Sequence, residues 1–169
     1  QLLKNVVADL PSTEFFCPGS TVRATFDTDH PLAYGMPDEG LVLFWGSPAF
    51  QIEPSPHNEW YETVVRYADR DLLQSGWLIG EDVISEKAAM VNVRHGEWNV
   101  VLIGFRPQHR GQTWGMWGVV WGVLVARADL TTRNRSISAA SGITLFVVPA
   151  EMRPTVTTAG SKTSIERVT

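Results

Sequence analysis

AAMVNVRHGEWNVVLIGFRPQHRGQTWGMWGVVWGVLVA, residues 88–126, carries more structural signal than any other part of the chain. Ala88–Val93 and Trp98–Phe105 read as two strands joined by Arg94-His95-Gly96-Glu97, where Gly96 supplies the positive φ of a tight hairpin turn. Val100-Val101-Leu102-Ile103 has the continuous apolar character of a strand buried on both faces. A basic loop, Gly104–Thr113, follows, and then Trp114, Trp117 and Trp121 recur at helical spacing, each with a glycine after it. A buried strand that ends in a glycine-bounded basic loop feeding a helix is where α/β proteins place ligands, so this stretch predicts part of an α/β domain.

Outward from that stretch the pattern weakens. Leu2, Leu3, Val6, Val7 and Leu10 fall at near-helical spacing before Pro11 and predict a short helix. Val22–Phe26, Leu41–Trp45 and Glu62–Tyr67 read as strands. Asp27–Asp38 and Glu53–Asn58 read as turns and loop, and Leu72–Glu81 is mixed. Beyond Asp129 tryptophan disappears and Ser and Thr become frequent, which predicts one domain over 1–128 and a poorly ordered tail over 129–169. Within that tail only Ile143–Val148 has the character of a strand.

Composition removes several function classes. The chain has 169 residues, 44% of them hydrophobic, and a formal net charge of −4. With no clustered Lys/Arg it lacks the electrostatic footprint of a nucleic-acid binder. Its longest apolar run, 114–126, falls short of the roughly 18 residues that predict a membrane span. The single Cys17 rules out an intrachain disulfide. The start at Gln1, with no leader pattern, reads as the product of processing or truncation.

Candidate sites are few. His30, His57, His95 and His109 begin no HxxE or HExxH pattern, so a metal site within the chain is not expected. Neither Ser47 nor Ser75 sits in a nucleophile elbow, and Cys17 reads as a small, partly buried hydrophobe without a neighbouring base. His30–Pro37 reads as a structured turn, with Gly35 as its left-handed residue. The candidate anion site is Arg106, His109 and Arg110, where two guanidiniums beside a helix start would hold a carboxylate or phosphate. The competing role for Arg106 is an internal clamp on Asp27, Asp29 or Glu81. Trp45, Trp60 and Trp77 are the candidates for a sugar-binding platform.

Asp27–Pro37, Ser75–Glu81 and Gly104–Thr113, taken in order, resemble the C-terminal region of large bacterial proteins of the carboxypeptidase A-like zinc peptidase family. The resemblance runs from about Pro11 to Ala126. In that family a peptidase domain is followed by a domain similar to class I glutamine amidotransferases. The resemblance therefore implies a partial flavodoxin-like α/β sheet with a β-hairpin and a C-terminal helix. It also implies that zinc and its ligands belong to an upstream peptidase domain, that no cofactor is held here, and that the protein is secreted or periplasmic. Where active amidotransferases carry their late histidine and glutamate, this chain reads Arg106 and Gln108, an always-protonated guanidinium and a neutral amide. The implied function is a non-catalytic accessory domain that packs on the peptidase domain or assists it with a small anionic or peptide ligand. Two alternatives stand beside it: an amidotransferase-like or esterase-like hydrolase using Cys17 or His109, and a carbohydrate-binding module.

Overall fold

The computed structural model describes residues 3–53, 60–95, 98–107, 137–138 and 144–149. Among them ten strands form one sheet in which every pairing is antiparallel. They are β1 (Leu3–Asn5), β2 (Ser20–Phe26), β3 (Glu39–Phe44), β4 (Phe50–Ile52), β5 (Tyr61–Tyr67), β6 (Leu73–Ser75), β7 (Ala88–His95), β8 (Trp98–Ile103), β9 (Ile137–Ser138) and β10 (Thr144–Pro149). Helix among these residues is limited to α1 (Glu81–Ile84) and a 3-10 turn at Pro31–Ala33.

This corrects the expected α/β, flavodoxin-like sheet. A parallel pair needs a crossover of a dozen or more residues, usually a helix, whereas every pairing here is antiparallel and the one α-helix among the described residues is four residues long; the expected hairpin is present as β7–β8. The short helix, or helix end, expected at the start is also replaced: Leu3–Asn5 is a strand paired with β4. Val6 N donates to the distant Ala49 O and Val7 N to the Asn5 side chain, whose Oδ1 also accepts from Ala49 N, so the amides a helix would use are taken by other partners. The tryptophan-rich helix expected over 114–126 lies outside the described residues.

The main path runs β3-β2-β5-β7-β8-β10-β9. One edge of β2 carries β3, and β5 and β6 pair with different segments of the same strand. β10 pairs with β8 over six positions, bringing part of the 129–169 segment into the sheet. The sheet also curls back on itself. After β8, Gly104 N still donates to Ala89 O of β7, and two residues on Arg106 N donates to Leu43 O of β3, at the other end of the order. Gly104 is needed at this junction, because a Cβ there would sit 2.7 Å from Pro48 O and 3.0 Å from Ala89 O.

The concave side holds the core. Ser20, Val22, Ala24 and Phe26 of β2 are buried in strict alternation, as a half-buried strand requires. A register shift in β5 turns both Val64 and Val65 inward, and the freed Val64 carbonyl accepts from Asp27 N. Phe44 makes ring contacts with Phe15 and Tyr67 at centroid distances of 5.6 and 5.5 Å, each adding about 0.5–1.5 kcal/mol beyond area burial. Tyr67, almost fully buried, donates its hydroxyl proton between Pro48 O at 3.1 Å and Gly104 O at 3.2 Å. On β8, Val101 and Ile103 enter this core while Val100 and Leu102 stay half-buried, so the strand alternates instead of being covered on both faces. Leu102 joins a second apolar cluster with Phe50, Ala88 and Val91 on the convex side.

Candidate functional site

Two ends of the curled sheet hold side-chain arrangements beyond simple packing. At the Phe26 end of β2, residues 27–38 fold over the core and bury Leu32, Ala33 and Met36. His30 anchors this loop. Its Nδ1 accepts from Leu32 N at 3.1 Å, which places the ring proton on Nε2, directed at Glu62 Oε2 3.2 Å away. The same carboxylate oxygen accepts from Asn92 Nδ2 at 2.7 Å. With both nitrogens engaged, His30 is a fastener between the loop and β5, not a poised base. Pro31 sits in the 3-10 turn and Gly35 adopts φ 80°, as the structured-turn reading expects. Asn92 is buried with its Oδ1 lacking a hydrogen-bond partner among the described residues.

At the opposite end, Gly19 and Ser20 organise a patch of exposed rings. Ser20 Oγ donates to Trp77 O at 2.7 Å and accepts from Trp77 N at 2.9 Å, fixing the loop after β6. Gly76 allows this approach: its φ is +106°, and a Cβ would meet Ser20 Oγ at 2.5 Å. Phe16 and Ile79 exchange backbone hydrogen bonds, N to O in both directions. On the other side of Gly19–Ser20, Trp45 follows Phe44, the partner of Ser20 in the β2–β3 register, and its ring packs on Gly19. Phe16, Trp45 and Ile79 are exposed, and Trp77 is 64% exposed.

Arg106 belongs to this patch. Its Nε donates to Trp45 O at 3.2 Å and its guanidinium carbon lies 5.2 Å from the centre of the Trp45 ring. The partners shown for it are thus a carbonyl and an indole, in place of the expected Asp27, Asp29 or Glu81. Glu81 instead accepts from Leu72 N at 2.6 Å. His109 and Arg110, the other two members of the expected anion site, lie outside the described residues, as does His57. Nothing in the sequence joined Trp45 to Arg106; the pairing emerges only when β3 meets the segment after β8.

Cys17 is buried beneath this end, with Sγ 3.9 Å from Phe44 O. Burial pushes its thiol above the ordinary range, against a smaller opposing pull from the Ser20 hydroxyl and the backbone of Gly19 and Ser20. A raised, covered thiol is a poor nucleophile. Ser47 is spent locally, its Oγ accepting from Trp45 N at 3.0 Å. Among the described residues no group of three or more His, Cys, Asp or Glu is placed to hold a metal ion. No helix among them is long and apolar enough to cross a membrane.

No protein-family model matches the chain, and no curated protein or solved structure matches it either.

Proposed function

We propose that this chain is a non-catalytic, β-rich accessory module of a zinc carboxypeptidase-like protein, packing on or assisting a peptidase domain encoded upstream. The three ordered segments Asp27–Pro37, Ser75–Glu81 and Gly104–Thr113 support the family, and the amidotransferase fold forms no part of the proposal. The observation that carries the non-catalytic reading is Arg106. Its guanidinium, always charged and so no general base, lies over the Trp45 ring, and its Nε donates to the Trp45 carbonyl. Among the described residues, His30 is engaged through both ring nitrogens and Cys17 is buried. Zinc, in this reading, is bound by the peptidase domain, and the whole protein acts outside the cytoplasm.

The test has two parts. The coding sequence upstream of Gln1 should continue in frame into a zinc carboxypeptidase domain; an unrelated upstream domain overturns the family reading. The purified chain should hydrolyse neither peptide nor ester substrates, with or without added zinc. Turnover abolished by alkylating Cys17 overturns the non-catalytic reading.

A further inference from the structure

We propose that the hollow on the convex face walled by Tyr61, Thr63, Arg66, Glu86 and Lys87 is a binding site for an acidic sugar, a hexuronate with one carboxylate and several hydroxyls. The proposal goes beyond the accessory role and holds whichever catalytic domain accompanies this one.

The register of the sheet builds the hollow. Ala88 of β7 lies opposite Arg66 of β5 on one side and Phe50 of β4 on the other, so the three side chains form one row across the face. A single methyl between two long side chains leaves a gap, and the open cavity there measures about 440 Å³, the size of a small-molecule site. The rim is pinned by its backbone. Glu86 N donates to Ala68 O, Lys87 N donates to Ile84 O, and Lys87 O accepts from Tyr67 N. Glu86 holds φ 59°, a left-handed conformation that glutamate adopts rarely and at a cost, and such residues cluster at ligand sites. The lining then selects the ligand. Neither Arg66 nor Lys87 is in an ion pair among the described residues, and the hydroxyls of Tyr61 and Thr63 make no hydrogen bond there. Arg66 Nη1 donates to Glu86 O at 3.4 Å, which uses one of five guanidinium donors and leaves the charge in place. Two cations and the Glu86 carboxylate give the hollow one net positive charge, which suits a single carboxylate better than a phosphate dianion. The next acid in sequence along the β4 wall, Glu53, accepts from Gln51 Nε2 at 3.3 Å. The Tyr61 and Thr63 hydroxyls, the Gln51 amide oxygen and the Glu86 carboxylate offer donors and acceptors to sugar hydroxyls. The Tyr61 ring, half-buried in the convex apolar cluster, supplies the surface on which the C–H face of a pyranose packs. A wholly apolar ligand would leave these polar groups unpaired.

The experiment is isothermal titration calorimetry on the full chain. D-Glucuronate carries both the ring and the charge, D-glucose the ring alone, and acetate the charge alone. Glucuronate should bind saturably with a Kd on the order of 1 mM, glucose at least about tenfold more weakly, and acetate without saturation. Lys87→Gln should weaken glucuronate binding about tenfold and leave the weaker glucose binding unchanged. Thr63→Val should weaken both about threefold. Tyr34→Ser, an exposed ring in the 27–38 loop, should leave affinity unchanged. Raising the salt concentration should weaken glucuronate binding to the wild type more than to Lys87→Gln. Thermal melts of each variant establish that it is folded. Equal affinity for glucose and glucuronate overturns the charge argument. Acetate or inorganic phosphate bound as tightly as glucuronate marks a bare anion site and overturns the sugar. The absence of saturable glucuronate binding below about 20 mM, or a folded Lys87→Gln that binds glucuronate as the wild type does, overturns the site.

Discussion

Replacing Tyr67 by Phe removes one hydroxyl from the junction where the sheet curls closed and leaves the ring in place. The hydroxyl donates between Pro48 O and Gly104 O, carbonyls from the two segments that flank the closure, and the residue is 1% exposed. Loss of this bond in a site closed to water leaves carbonyls short of a donor, which costs about 1–2 kcal/mol. For a chain of this size that corresponds to a fall in Tm of about 2–8 °C. The pH dependence gives an independent check. Burial, with a smaller contribution from nearby Cys17, holds the Tyr67 phenol well above its ordinary range, so the folded protein keeps a proton that the unfolded chain releases near pH 10. The contribution of Tyr67 is therefore fully present below that pH. It is lost above it at up to about 1.4 kcal/mol per pH unit until the folded group ionises. Urea unfolding of wild type and Tyr67→Phe between pH 7 and 11.5 should show the wild type ahead at neutral pH and the gap closing above pH 10. Equal stability at pH 7, or a gap that stays constant through pH 11.5, would refute the junction's role.

The remaining predictions concern single groups. Cys17 should react with iodoacetamide far more slowly than a free thiol at pH 8 and at a normal rate in urea; its raised thiol adds stability below about pH 8.5 that is lost as pH rises. Fast labelling of the native protein would contradict its burial. Asn92→Asp sets a second carboxylate beside Glu62 Oε2 and should cost about 3 kcal/mol at pH 7, recovering below about pH 4, as read by chemical denaturation. Gly104→Ala should destabilise by about 1–3 kcal/mol in thermal melts, because both nearest obstacles to a Cβ are backbone oxygens. Arg106→Ala loses one exposed hydrogen bond and a surface cation–π contact, so its melting temperature should fall by no more than about 3 °C.

What local pattern specifies was legible: β2, β3, β5, β7, β8 and β10 all fall on runs rich in β-branched and apolar residues, and Gly35 does adopt its left-handed turn. The fold class was not legible, because a strand's direction relative to its neighbours is settled by long-range pairing. The same runs that suit a parallel sheet serve an antiparallel one. β1 and β4 were invisible for a related reason: each is three residues long, and they are held largely by each other and by Asn5, a residue that reads as neutral in isolation. The candidate site divides in the same way. Arg106 stood out as a charge at a strand end, but its partner Trp45 lies 61 positions earlier and meets it only because Arg106 N finds Leu43 O. Glu62 and Asn92 gave no sign at all, being ordinary polar residues on strands until the β5–β7 register sets them opposite each other under His30. Closure of the sheet at residues 104–106 is therefore the step that brings Arg106 onto Trp45. A substitution that opens the junction, such as Gly104→Val, should separate Arg106 from Trp45 and lower the melting temperature by more than Gly104→Ala does. Trp77→Ala, at an exposed ring, should leave the melting temperature nearly unchanged. If Gly104→Val melts no lower than Gly104→Ala, the junction tolerates a side chain at residue 104, and the close approach of the Pro48 and Ala89 carbonyls is not what demands glycine there.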